Sequence, residues 1–171
     1  MILLNGALLK INNSDGSLDE SFSNNGIINL SELLGSTDNV QFFFRDFEIL
    51  SDGKIVGGAV IRERGTIFNN YVAVFQINTD GKLNPEFGNN GLTKLKLNNA
   101  TDEGGIIDGG GKIVITSNNK IIFTAVDTDD ISSRYTSLFR LNNDGTFDNS
   151  FGINGRFQIL YRTFGETVLE L

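Results

Sequence analysis

The chain has no cysteine and no histidine, which excludes disulfide bridges, the usual zinc sites, cysteine nucleophiles and every catalytic triad built on an imidazole base. Tryptophan is absent too, and there is a single proline. Positive charge is scarce: 14 Lys and Arg stand against 21 Asp and Glu, a formal net charge of −7 with a pI near 4.5. Nucleic acids and anionic lipids are held by basic surfaces that neutralise phosphate, so neither is an expected partner. No stretch approaches the roughly 18 consecutive apolar residues of a membrane-crossing helix, and membrane insertion is not expected. Residues 1–9 also lack the basic start and small-residue cleavage site of a signal peptide. What is present is an ordinary 39% of hydrophobic residues over 171 positions, enough for one sizeable core.

Glycine is plentiful, at 20 residues, and its spacing reveals a repeat. One motif is written three times, over residues 8–26, 74–91 and 138–155: an apolar run, Asn-rich turn, Asp-Gly, then a Phe and a closing Gly. Asp15, Asp80 and Asp144 begin the Asp-Gly pairs, 65 and then 64 residues apart, and Phe22, Phe87 and Phe151 keep step with Gly26, Gly91 and Gly155. The whole of 1–171 reads as a single repeat region.

Between the motifs the chain alternates short apolar runs with turns, and no 3.6-residue period lasts beyond two turns of helix. Residues 1–4 and 7–11 flank Asn5-Gly6, the signature of a hairpin with a two-residue turn. Residues 26–30 form a further strand, and 31–34 a single helical turn. The second unit reads as strands 44–50, 54–60, 71–77 and 92–97, and the third as 112–116, 120–126, 135–141 and 156–161. Four short antiparallel strands per unit of this length predict an all-β fold of β-propeller blades, about three blade-equivalents in this chain.

Asp52-Gly53 before Lys54-Ile55-Val56, together with the Asn-x-Asp-Gly motif that ends in Phe-Gly-x-x-Gly, resembles the bacterial delta-60 repeat, a β-propeller repeat. The resemblance covers nearly the whole chain. This sequence departs from the pattern at Ser23, which stands where Gly88 and Gly152 stand, at Asn84-Pro85, and at Asn118-Asn119 in place of Asp52-Gly53. The resemblance implies a propeller in a bacterial protein that is extracellular or at the cell surface. It implies no reaction.

The motif is explained by architecture. Asp-Gly supplies the positive φ of a tight turn, the preceding Asn bonds the turn backbone, and the recurring Phe is expected to be a buried anchor, equivalent in all three copies. A calcium loop competes, because Asn13, Asp15, Ser17 and Asp19 put oxygens at alternate positions. No Glu stands at the twelfth position, and Lys82 and Asn84 replace two of the ligands in the second copy, so no cofactor is expected. A function performed once would break the repeat. The breaks lie in the loops between second and third strands: Arg62, Glu63 and Arg64 in one unit, Asp127, Asp129, Asp130 and Arg134 in the next. These are the candidate binding residues, with a protein or a glycan as ligand. The aromatic run Phe42-Phe43-Phe44 is assigned to the core or to the space between blades. Two functions are compatible with this pattern: a non-enzymatic structural or interaction module, and a carbohydrate hydrolase or lyase that uses paired carboxylates.

Residues 1–4 line up with the second strand of the later units, and 166–171 with a first strand. Three wedges fall short of the four to eight of closed propellers. Self-association through 166–171, most simply two chains in a six-bladed ring, or completion by further blades of a longer chain is therefore expected.

Overall fold

The computed structural model describes residues 1–4, 6–64, 69–96, 110–128 and 134–161. Three antiparallel sheets succeed one another along the chain. The first holds β1 (Ile2–Leu4), β2 (Ala7–Leu9) and β3 (Ile27–Asn29) in that order, with a one-turn helix α1 (Leu30–Leu33) after it. The second runs β4 (Val40–Ile49), β5 (Ile55–Glu63), β6 (Asn69–Ile77), β7 (Leu92–Lys96). The third runs β8 (Gly110–Ile115), β9 (Ile121–Thr128), β10 (Arg134–Leu141), β11 (Arg156–Tyr161). Each is a propeller blade. In the second and third the strands are added in sequence order, and the repeat motif is the long connection between the third and fourth strands. Helix α1 forms where Asn29 caps it, its side chain accepting from the backbone N–H groups of Ser31 and Glu32.

Several strands run further than their composition suggested. Arg62 and Glu63 end β5, and Asp127 and Arg134 lie within β9 and β10, not in the loops. Backbone pairing carries the ladder past the last apolar residue: Arg62 pairs with Gln41 and Asn70, Arg134 with Thr128 and Tyr161. The segment 166–171 lies outside the described residues, and the first blade has three strands among those described.

The blades pack face to face. Period-2 alternation along β5 and β6 sends Ile55, Ala59, Phe75 and Ile77 to one side of the second sheet, where they meet Leu8, Phe22, Ile28 and Leu30 of the first blade. Val56, Val72 and Val74 go to the other side and meet Ile113, Ile121, Phe123 and Phe139 of the third. Both faces of β5 are thus covered, and Ile55 through Ile61 are buried. Gly58 makes room for this contact, since a Cβ there would lie 2.2 Å from the Phe123 ring of the neighbouring blade. Phe42 and Phe44 stack at 6.3 Å on the side of the first blade, and Phe44 meets Phe75 edge to face. Phe43 points the other way and is exposed.

First strands of neighbouring blades also touch. A bulge between Phe44 and Asp46 resets the alternation of β4 and turns Asp46 toward the third blade. There its carboxylate accepts from the Ile113 N–H at 3.1 Å and lies 3.4 Å from the Lys112 ammonium.

Phe22 and Phe87 are buried, 2% and 0% exposed. Phe151 is not their equivalent in burial: it is only half-buried. The first two are each covered by the next blade, Phe87 within the cluster that includes Ile121 and Phe123. Phe151 instead packs under the Arg140 guanidinium, 4.5 Å from the ring centre, and beside Phe157.

Candidate functional site

The repeat motif is spent on turns and joints. In each copy the Asp of Asp-Gly accepts from the N–H two residues on: Asp15 from Ser17, Asp80 from Lys82, Asp144 from Thr146. Four residues after that Asp, Asp19, Asn84 and Asp148 accept from Ser21, Glu86 and Ser150 in the same way. Their remaining atoms reach back to the strand: Lys10 pairs with Asp19, Gln76 with Asn84, Arg140 with Asp148. Asn84, a departure in sequence, thus answers Gln76, where the other copies oppose a cation with a carboxylate. In the first copy the Ser17 hydroxyl donates to Asp15 and the Ser21 hydroxyl to Asp19, so Asp15, Ser17 and Asp19 of the would-be calcium loop are engaged in the turn. Among the described residues no group of three Asp or Glu side chains converges.

These hydrogen bonds fix the charge of the carboxylates. Asp19 is lowered to about 2, first by the Ser21 hydroxyl and then by Lys10. Asp148 is lowered to about 2, first by the Ser150 hydroxyl, with the Ser150 N–H, Arg140 and Lys120 adding to it. Asp15, Asp52, Asp80 and Asp144 are lowered by the turn donors two residues on. All six carboxylates are held ionised, the reverse of what a general acid needs.

The same turns join the blades. Gly88 donates its N–H to the Asp144 carbonyl at 2.7 Å, and the Thr93 hydroxyl donates to the Gly145 carbonyl at 2.6 Å. A Cβ on Gly145 would lie 2.8 Å from the Gly88 nitrogen, and one on Gly81 would lie 2.5 Å from Ser23 Cβ. Glycine is required there by contact with the preceding blade as well as by the positive φ of 83° and 85°. The Asp-Gly turns of the second and third blades are therefore seated against the Phe-Ser or Phe-Gly of the blade before. Ser23 takes the same left-handed conformation as Gly88, with φ of 49° against 56°.

The singled-out polar residues sit at the opposite end of the sheets. Arg62 lies over the Phe43 ring, 5.3 Å from its centre, and Arg64 donates to the Gln41 side chain at 3.4 Å. Glu63 between them pairs with Lys94, whose ammonium also caps the Tyr71 ring. Among the described residues no carboxylate comes within ion-pair range of Arg62 or Arg64. Arg134 stands in the third blade at the register of Asn70, the cross-strand partner of Arg62, and Asp127 pairs with Tyr135. Asp129 and Asp130 lie outside the described residues. The fold thus brings Arg62 and Arg64 together and puts Asp127 and Arg134 at the same end of the next blade.

Sequence reasoning missed a groove of about 640 Å³ between the outer strands of the second and third blades. Leu95, Phe139, Phe147 and Ile153 form its apolar wall, with Asn154, Arg156 and Gln158 as polar groups; the lining also takes in Phe157 of the outer strand and contains no carboxylate. The alternation Arg156, Phe157, Gln158, Ile159 marks an edge strand, and register with Phe139 and Ser137 puts Arg156 and Gln158 on the groove side.

Sheets added strand by strand, joined face to face by a recurring turn, define a propeller-type repeat. Residues 116–151, about a fifth of the chain, match the family model described as a domain of unknown function (DUF5122), beta-propeller. That stretch runs from the turn before β9 to Phe151. No curated protein and no solved structure matches the chain.

Proposed function

We propose that the protein is a non-enzymatic propeller module of the delta-60 type, with a structural or interaction role in a bacterial surface or secreted protein. Its ligand, a protein or a glycan, docks at the end of the blades that carries Arg62 and Arg64. One observation carries this reading: in an acidic chain, two guanidinium groups share a strand end, Arg62 over the exposed Phe43 and Arg64 on Gln41, and have no carboxylate in ion-pair range among the described residues. Such a platform suits a partner that offers carboxylates or the flat face of a sugar or aromatic ring. Asp127 and Arg134 extend the same end in the next blade. The turn-bound, ionised carboxylates support the non-enzymatic side of the reading.

The test is to screen the chain against glycan and peptide arrays beside an Arg62→Ala/Arg64→Ala variant. Binding lost in the variant at an unchanged melting temperature is the expected result. Binding that ignores both substitutions would move the site elsewhere, and release of reducing ends from a bound glycan would make the protein a hydrolase or lyase.

A further inference from the structure

The strongest unexplained feature is the face of the third blade turned away from the second. Cross-strand register puts Ile122, Leu138 and Phe157 on that face, at the positions held in the second blade by Val56, Val74 and Thr93. Val56 and Val74 are sealed under the third, and Thr93 is partly covered by it. On the third blade Phe157, Ile159 and Val114 are 50%, 40% and 53% exposed. Phe151, the anchor that the next blade covers in the other two copies, is half open beside them. Four of the seven exposed large apolar residues among those described belong to this blade. A monomer's surface seldom gathers them in this way.

The first blade carries the matching half. Leu9 and Ile11 are partly exposed where their counterparts Phe75, Ile77, Phe139 and Leu141 are buried by a preceding blade. Ile27, paired with Leu9, is exposed. The turn at Gly16 has open space around it, whereas Gly81 and Gly145 sit buried against the blade before them.

We propose that the open face of the third blade is the docking surface for the first blade of a second copy of this chain. The occupant is specified by the molecule itself, because the same joint is built twice within the chain. Its parts are an anchor Phe, a left-handed residue after it, an apolar sheet face and an Asp-Gly turn seated on them. The third blade ends in the donor half, Phe151 with Gly152 and the apolar face, and the first blade begins with the acceptor half, the Asp15-Gly16 turn with Leu9 and Ile11. The two halves differ, so the contact is heterologous and runs head to tail, closing into a ring or extending as a filament according to the rotation per chain. This goes beyond the ligand-binding end and uses none of its residues.

Phe157→Lys disables the tail and Ile27→Lys the head, both at positions already open to solvent, with Ile159→Lys as a second tail variant. Sedimentation velocity on the full chain should find concentration-dependent assembly for the parent and monomers for each variant alone. An equimolar mixture of Phe157→Lys with Ile27→Lys should recover a dimer and nothing larger, since one intact tail then meets one intact head. A parent that stays monomeric at its highest soluble concentration overturns the proposal. So does a mixture that stays monomeric, or an Ile27→Lys variant that assembles like the parent, which would mean tail-to-tail pairing.

Discussion

Val56, Val72 and Val74 on the second blade and Ile122, Thr136 and Leu138 on the third occupy the same register positions of the same kind of sheet. The first set is buried beneath a neighbouring blade, and the second is only half covered. Two faces of like composition therefore differ in burial because a further blade is packed on one of them alone among the described residues. A blade's local sequence specifies which residues can form a joint, while burial requires the next blade.

Substitution at the anchors should separate the two most sharply. Phe87→Ala is expected to cost about 3 to 5 kcal/mol, the usual penalty for emptying a large aromatic site. Phe151→Ala should cost about 1 kcal/mol or less in the monomer. Urea titration of the two variants measures both, and equal losses would mean that Phe151 is as well packed as Phe87.

Next in size are the turn glycines. Gly16→Ala should cost roughly 1 to 2 kcal/mol, for the left-handed backbone alone. Gly145→Ala adds a clash with the Gly88 backbone, a further ~1 to 3 kcal/mol by analogy with overpacked cores. Chemical denaturation that gives the same midpoint for both would remove the joint from the account. A smaller effect belongs to Thr93→Val, which loses the hydrogen bond to the Gly145 carbonyl, at about 1 kcal/mol. Phe157→Thr, which writes the second blade's residue at the open position, should leave the monomer's melting temperature nearly unchanged.

The gentlest probe is acid. Asp19 and Asp148 have folded-state values near 2 against an ordinary 3.8, so their ionised forms favour the folded state. That stabilisation is complete above the unfolded value and is lost as pH falls from about 4 toward about 2, where both states become protonated. Thermal melts across that range should decline. In an Asp19→Asn/Asp148→Asn variant, which writes the second copy's residue into the other two, the decline should be shallower.

Much of the blade plan was legible, because turn chemistry is local. Asp15-Gly16, Asp80-Gly81 and Asp144-Gly145 announce their positive-φ turns whatever surrounds them. The helical turn after Asn29 lay one residue from its expected start. Strand ends were less legible: Arg62, Glu63, Asp127 and Arg134 are charged and suggest loops, yet ladder bonds to facing strands hold them in the sheet. Burial was the least legible. Phe151 stands in the same motif as Phe87, and nothing in its own copy says which of the two another blade will cover. For the candidate site, breaks in the repeat singled out Arg62 and Arg64 but not the contact of Arg62 with Phe43, which depends on the register of β4 against β5.

The pairs Lys10–Asp19, Gln76–Asn84 and Arg140–Asp148 each join two residues of a single copy. Every pair is closed within eight or nine residues of one copy. A duplicated or transplanted copy therefore arrives with its own polar partner and can drift from cation–carboxylate to amide–amide without asking anything of its neighbours. The glycine contacts are shared between adjacent copies, Gly81 with Ser23 and Gly145 with Gly88, so they are the places where any newly inserted copy must agree with the old ones. An added copy would thus be constrained by contact at the seams.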